Sequence, residues 1–437
     1  MRRIGTFLLS LLACTLLCGQ TPAPRRGASL SSYKLIEISI TGSKRYSPQQ
    51  IIPLTGLQLG EQVGEGDFQQ ASEKLGGTGM FTNVSYTFSY DSAGTRLQFQ
   101  VGDSDKLAPV KFENFVWFSD AELIEKIHSI LPLFQGQLPF DGDLTDRVAD
   151  VLQELVVARG FAAAKVDVGR PGGDQEKGEA GTIDVIVYSV SGVPVHIRRL
   201  AFPGAEAALL PRLQAAAKSQ IGGEFQRSRL EMFTRIDLRP LLLSEGKLRV
   251  QFGGVQAKVV QESAQEVLVD TSIPITEGPT YKLAGVAWFG NTLFPSNQLD
   301  SLVHLHPGDV MNLIAVERNL GRVAGLYRAA GYMRASVKPD LVFDDSAATA
   351  TCSLTVKEGP QYHMGELDLV GLDEQTKAKL QQAWSLHPGQ PYDGAYAQMF
   401  LKNTHALFPG DSWKVAVHEA VNDSDTSVDV TLNFNSK

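Results

Sequence analysis

Three stretches decide the fold: YKLAGVAWFGN at residues 281–291, VERNLGRVAGLYRAAGYMRAS at 316–336 and TATCSLTVKEGP at 349–360. Tyr281 to Phe289 is apolar and extended, and Gly290-Asn291 turns it. Pro295 to Val303 predicts a short helix, stopped by Pro307-Gly308. Asn312 to Ala330 predicts a longer one. Its apolar residues Leu313, Val316, Leu320, Val323 and Tyr327 recur at three or four positions and so share a face. Gly331 supplies the left-handed position that ends a helix. Met333 to Asp340 and Ala348 to Glu358 read as a hairpin around Asp344-Asp345-Ser346. The order is β-α-α-β-β.

This unit recurs. A glycine that closes the long helix stands at Gly79, Gly160, Gly246, Gly331 and Gly410, roughly 80 residues apart each time. A turn glycine between the two helices stands at Gly60, Gly136, Gly223, Gly308 and Gly389. Glu277-Gly278-Pro279-Thr280-Tyr281 recurs as Glu358-Gly359-Pro360-Gln361-Tyr362, and Ser191-Gly192-Val193-Pro194 occupies the same joint one unit earlier. Five copies of one small unit suit an array better than one large core. The chain has 437 residues, 43% hydrophobic and 20% charged, which is globular rather than disordered composition. The expected fold class is α+β: five tandem units, each a three-stranded mixed sheet covered by two helices.

The chain begins with Arg2 and Arg3 and an apolar run from Ile4 to Leu17, which reads as a secretory signal over 1–20. That run is short for a membrane span. Leu11-Leu12-Ala13-Cys14 resembles a lipoprotein box, making Cys14 a candidate lipidation site, although Thr15-Leu16-Leu17 is unusually apolar for one. Residues 21–33 form a polar lead rich in Pro, Gly and Ser. The five units then cover 34–103, 108–192, 194–278, 280–359 and 361–437. Ser47-Pro48 and Ser119-Asp120-Ala121-Glu122 mark helix starts. Pro240 predicts a kink in the second helix of unit three. The charged, glycine-rich run Arg170 to Gly181 precedes a strand rather than a helix, so it reads as a hairpin tip and not a phosphate cradle.

Little catalytic chemistry is legible. There is no Gly-x-Ser-x-Gly elbow, His-Glu-x-x-His, paired Cys-x-x-Cys or phosphate loop. His304 and His306 flank a turn and lack a third metal ligand. Cys352, the one cysteine left after signal removal, alternates in a strand and reads as a small core side chain. Glu277 and Glu358 recur because the joint recurs. The expectation is a protein without catalytic residues, cofactors or metals. Net charge is −8, and more negative without Arg2 and Arg3, which argues against nucleic acid as partner.

The tandem β-α-α-β-β order on an exported chain resembles the POTRA (polypeptide-transport-associated) domain of the BamA and TamA outer-membrane assembly factors. Val286 to Phe294, Leu305 to Asp309, Leu326 to Tyr332 and the Glu-Gly-Pro-x-Tyr joints carry the resemblance. Unit five adds Leu369-Val370-Gly371 and His387 to Tyr392, and unit one adds Gly79 to Val84. In that family a C-terminal β-barrel follows the last POTRA unit. Here the sequence stops after unit five, so no insertase or pore is carried over.

The resemblance implies a periplasmic array, reaching the outer membrane indirectly or through a lipid anchor. Its partners would be unfolded outer-membrane proteins or assembly-complex subunits, with a separate barrel protein among them. It also implies an exposed hairpin strand open to strand addition. The expected edges are Val84 to Tyr90, Ala163 to Val168, Leu248 to Phe252 and Arg334 to Val337. The preferred one is Arg334, Ala335, Ser336 and Val337 with the helix face at Arg328. Pro339 limits pairing on that edge. The alternative is a structural scaffold that binds one folded partner in an envelope assembly or secretion complex.

Overall fold

The computed structural model describes residues 34–170, 185–263, 265–405 and 413–436. The signal, Cys14, Gly410 and nearly all of the Arg170–Gly181 tip lie outside the described residues. The chain divides into two compact bodies, taken separately below. The first runs to Ser189 except for Glu113–Trp117, and the second comprises Glu113–Trp117 and Val190 onward.

The second body holds the repeat built from residues 281–360. Its first strand is Lys282–Phe289, followed by helices Ser296–Val303 and Leu313–Ala329 and by strands Ser336–Asp344 and Thr349–Lys357. Lys282–Phe289 pairs parallel with Thr349–Lys357, which pairs antiparallel with Ser336–Asp344. The last strand is therefore central, and the first strand of the hairpin is an edge. Alternation sends Ala350, Cys352, Leu354 and Val356 into the core. There they meet Val316, Leu320, Val323 and Tyr327 of the long helix. Leu313, at the start of that stripe, is only half-buried. Asn312 caps the helix by accepting the Ala315 N–H at 2.9 Å.

The same topology recurs on either side. Val195–Ala201 pairs parallel with Val267–Ser272, which carries Gln256–Glu262 at its other edge. His363–Val370 pairs parallel with Ser427–Ser436, which carries Trp413–Asn422. The second helix of the Val195 repeat changes its hydrogen-bond pattern before Pro240. Arg227–Phe233 is α-helical, Thr234–Leu238 is a π-helical segment, and Arg239–Ser244 resumes the α-helix. Proline offers no N–H to the preceding turn, and the wider turn absorbs the missing bond. The edge of this repeat is a correction. Leu248 lies outside any strand, and Gln251–Phe252 pairs only with Ile275–Thr276. Gly253-Gly254 interrupts the strand, so the longer edge is Gln256–Glu262.

In the first body, Leu35–Thr41 pairs parallel with Gly94–Asp103, and Phe81–Asp91 forms the edge. Its second helix, Glu65–Gly77, is capped by the Asp67 carboxylate, which accepts the Gly64 N–H at 2.8 Å. The following sheet has four strands rather than three. Gln137–Pro139 lies beside Leu107–Phe112, then come Ile186–Ser191 and the edge Lys165–Gly169. The capping box is present, with Ser119 N–H donating to Glu122 at 2.7 Å and Glu122 N–H to the Ser119 hydroxyl at 3.2 Å.

Two glycine sets do different work. The glycine after the first strand has positive φ and faces a carbonyl of the last strand. A Cβ would lie 2.2 Å from the Val101 oxygen at Gly42 and 2.3 Å from the Val356 oxygen at Gly290. Only glycine fits there. The inter-helix glycines also have positive φ, with Gly222 rather than Gly223 holding that place in the third repeat.

Candidate functional site

A three-stranded sheet has two edges, and these repeats bridge one of them near the start of its strand. The segment between the helices runs antiparallel against the first strand through single bridges, Lys34 with Gln62, His196 with Glu224, Lys282 with Val310 and His363 with Pro391. Each is a pair of backbone bonds. Leu283 N–H donates to Asp309 O and Gly308 N–H to Leu283 O, both at 2.8 Å. In the four-stranded sheet the same segment becomes the strand Gln137–Pro139. Among the described residues, the hairpin's first strand is an edge in each repeat and carries no such bridge, whereas the first strand of a three-stranded sheet is an edge bridged only near its start. An unpaired row of N–H and C=O groups is a template for another strand.

The five edges differ in how they are guarded. Charges, prolines and bulges are the usual protection. Lys165–Gly169 is five residues long and carries Lys165 and Asp167. Gln256–Glu262 has Lys258, Glu262 and a register shift at Val259/Gln261. Ser336–Asp344 has Lys338, Pro339 and Asp340 in succession. Trp413–Asn422 has Lys414, His418 and Glu419. Phe81–Asp91 has a register shift at its start, Phe81/Asn83, but no charged residue before Asp91, and at eleven residues it is the longest of the five. One face of it is aromatic. Tyr86 and Phe88 stand 6.1 and 5.1 Å from Phe68 on the helix Glu65–Gly77. Phe88 remains 41% exposed and Tyr90 59%.

The preferred residues from the sequence fall into two groups. Ser336 and Val337 lie on the edge strand of the fourth repeat, and Ala335 precedes it. Arg334 and Arg328 are drawn elsewhere. Arg334 forms a two-pronged ion pair with Asp423 at 3.1 Å for both nitrogens, and Arg328 pairs with Glu419 at 3.1 Å. Both acids belong to the hairpin of the next repeat. These guanidinium groups are therefore held at a joint, for which the sequence carries only one sign, the Gly-x-x-Arg spacing that Arg334 shares with Arg249.

The joint acids have local partners. Glu358 accepts from Thr292 N–H at 2.7 Å, Leu293 N–H at 2.8 Å and the Tyr327 hydroxyl at 3.0 Å. Partial burial opposes its charge, but these bonds outweigh it and hold its pKa below the ordinary value. Asp103 repeats the arrangement with Lys44 and Arg45 N–H at 2.8 and 3.0 Å. Glu277 accepts Glu206 N–H at 2.8 Å and faces Lys247 at 3.1 Å. Among the described residues, no three His, Cys, Asp or Glu side chains gather as metal ligands. His304 ends its helix in a left-handed conformation at φ 53°, and His306 is exposed beside Asp309 at 3.4 Å. Burial and the nearby Asp340 raise the Cys352 thiol to about 11, far from a thiolate at neutral pH. No described helix is long and apolar enough to cross a membrane.

The fold and its edges define an array of small α+β units that each offer backbone pairing along one strand. Residues 281–359 match the POTRA family, described as a surface antigen variable number repeat, and this repeat is a POTRA domain. A Treponema pallidum (strain Nichols) protein, provisionally named an outer membrane protein assembly factor, is 22% identical over 322 residues. The match covers 71% of this chain and 36% of that protein. The outer membrane protein assembly factor BamA of Neisseria meningitidis serogroup B (strain ATCC BAA-335 / MC58) is 23% identical over 167 residues, 36% of this chain and 20% of its own length. The solved POTRA domains 3–5 of Haemophilus influenzae BamA align over 55% of this chain and 96% of theirs, at 20% identity and a TM-score of 0.44. The POTRA match thus rests on residues 281–359, the chain is similar to these assembly factors, and it spans 36% and 20% of the two curated relatives' lengths.

Proposed function

We propose that this protein works in outer membrane protein assembly from the periplasmic side. It holds extended segments of unfolded outer-membrane proteins by strand addition to its hairpin edges. The supporting observation is the contrast among edges: the inter-helix segment bridges one side of each sheet, and Phe81–Asp91 on the other side is long and has no charged residue before Asp91. Main-chain pairing tolerates many sequences, as a carrier of many clients requires. Alternate side chains of an added strand would lie beside Tyr86, Phe88 and the Phe68 helix, which favours uncharged strands of alternating polarity. Ser336 and Val337 belong to a second acceptor, weakened by Pro339.

Photocrosslinkers placed at Thr87 and Ser336 of the exported chain in a Gram-negative periplasm test this reading. The expected result is capture of several identified outer-membrane barrel proteins, more strongly at Thr87. Capture of one folded partner at both positions would overturn it in favour of a scaffold.

A further inference from the structure

The Glu-Gly-Pro-x-Tyr motif has no catalytic role, yet its chemistry repeats at both joints within the Val190–Lys437 body. At the first, Tyr281 N–H donates to Gly246 O, the carbonyl that closes the preceding long helix, at 2.9 Å. The Tyr281 hydroxyl donates to Asp345 at the tip of the following hairpin. Arg249, three residues after Gly246, reaches the other oxygen of Asp345 at 3.4 Å. Its guanidinium lies over Phe343, 4.4 Å from the ring centre. At the second, Tyr362 N–H donates to Gly331 O at 2.7 Å. The Tyr362 hydroxyl donates to Asp423 at 2.5 Å, and Arg334, three residues after Gly331, grips both oxygens of Asp423. Both tyrosines are 1% exposed. The glutamates anchor the other end of each strap to their own repeat, as described for Glu277 and Glu358.

We infer that Arg249–Asp345–Tyr281 and Arg334–Asp423–Tyr362 are matched joint locks that make the third, fourth and fifth repeats move as one rigid unit. Each lock ties three chain segments through one carboxylate. The strap holds the start of the next first strand, and the arginine of the preceding repeat fixes the rotation of the next hairpin. The bidentate Arg334–Asp423 pair constrains direction as well as distance, while Arg249 makes one contact with Asp345 and is oriented by the Phe343 ring beneath it. The second joint carries a further brace. Glu419 accepts from Tyr392 OH at 2.7 Å and pairs with Arg328, whose carbonyl accepts Gly394 N–H at 3.0 Å. The inference does not depend on strand addition, since a scaffold would use the same rigidity.

Spin labels at Ser301→Cys and Lys379→Cys of the full chain, with buried Cys352 left in place, report the second joint by electron–electron distance measurement. The expected parent result is one narrow distance. Arg334→Asp should lose it to a broad distribution, and Arg334→Asp with Asp423→Arg should regain it. Tyr362→Phe, which keeps the buried ring, should broaden it without unfolding the repeat. A broad parent distribution, or a narrow one in both Arg334→Asp and Tyr362→Phe, would overturn the inference.

Discussion

The Tyr362 hydroxyl donates to Asp423 at 2.5 Å across 61 residues of sequence, and Arg334 holds the same carboxylate from the preceding repeat. Those contacts favour the charged form of Asp423 and keep it below the ordinary aspartate range. A depressed folded pKa stabilises the lock above the unfolded value of about 3.9 and releases it as pH falls through the lower folded value. Label distances across this joint should stay narrow from neutral pH down to about 4 and broaden below. Broadening near neutrality would show that another group governs the joint.

Gly290→Ala should destabilise the fourth repeat by about 3 kcal/mol or more, since the new Cβ meets the Val356 carbonyl at 2.3 Å with φ at +76°. Gly308→Ala, with φ +94° and open space around it, should cost only about 1 kcal/mol. Urea titration of the two variants separates the effects. Equal losses would mean that conformation alone, and not the carbonyl contact, selects glycine at 290.

Lys247 is 5% exposed at its side chain, with Glu206 at 2.6 Å and Glu277 at 3.1 Å. Burial works against its charge, but the hydrogen bonds to the two glutamates prevail and raise its pKa. Lys247→Ala leaves Glu277 buried without a counter-charge and should cost about 3 kcal/mol. Lys247→Ala with Glu277→Leu should recover most of that loss in thermal unfolding. A Lys247→Ala variant as stable as the parent would show that water reaches Glu277.

His304 occupies the left-handed helix end that glycine prefers. His304→Gly should raise stability by up to about 1 kcal/mol. A loss of stability that appears only when zinc is present in the parent would reveal a ligand role instead.

Much of the fold was readable because glycine is demanding. Gly79, Gly160, Gly246 and Gly331 all close helices with positive φ, and their even spacing exposes the repeat without reference to any side-chain contact. The Val316, Leu320, Val323 and Tyr327 stripe was readable for the same local reason. Two features were hidden by their range. Arg249 meets Asp345 across 96 residues, and Arg334 meets Asp423 across 89. Only the shared Gly-x-x-Arg spacing, 246–249 and 331–334, hinted at a common role. The π-helical turn before Pro240 and the extra strand Gln137–Pro139 are small local departures that periodicity does not register. Among the edges, Phe81–Asp91 was legible as a strand. Its standing as the longest and least charged edge depends on where the other four edges lie.

Backbone hydrogen exchange tests the central claim most directly. The full chain is followed with and without an uncharged peptide of alternating aromatic and polar residues. Strand addition at the hairpin edge predicts slowed exchange within Thr82–Ser89, weaker slowing at Ser336–Asp344, and no effect at Leu35–Thr41, which lies at the opposite edge of its sheet. Unchanged exchange across Thr82–Ser89 at saturating peptide, or slowing confined to helix surfaces, would contradict it.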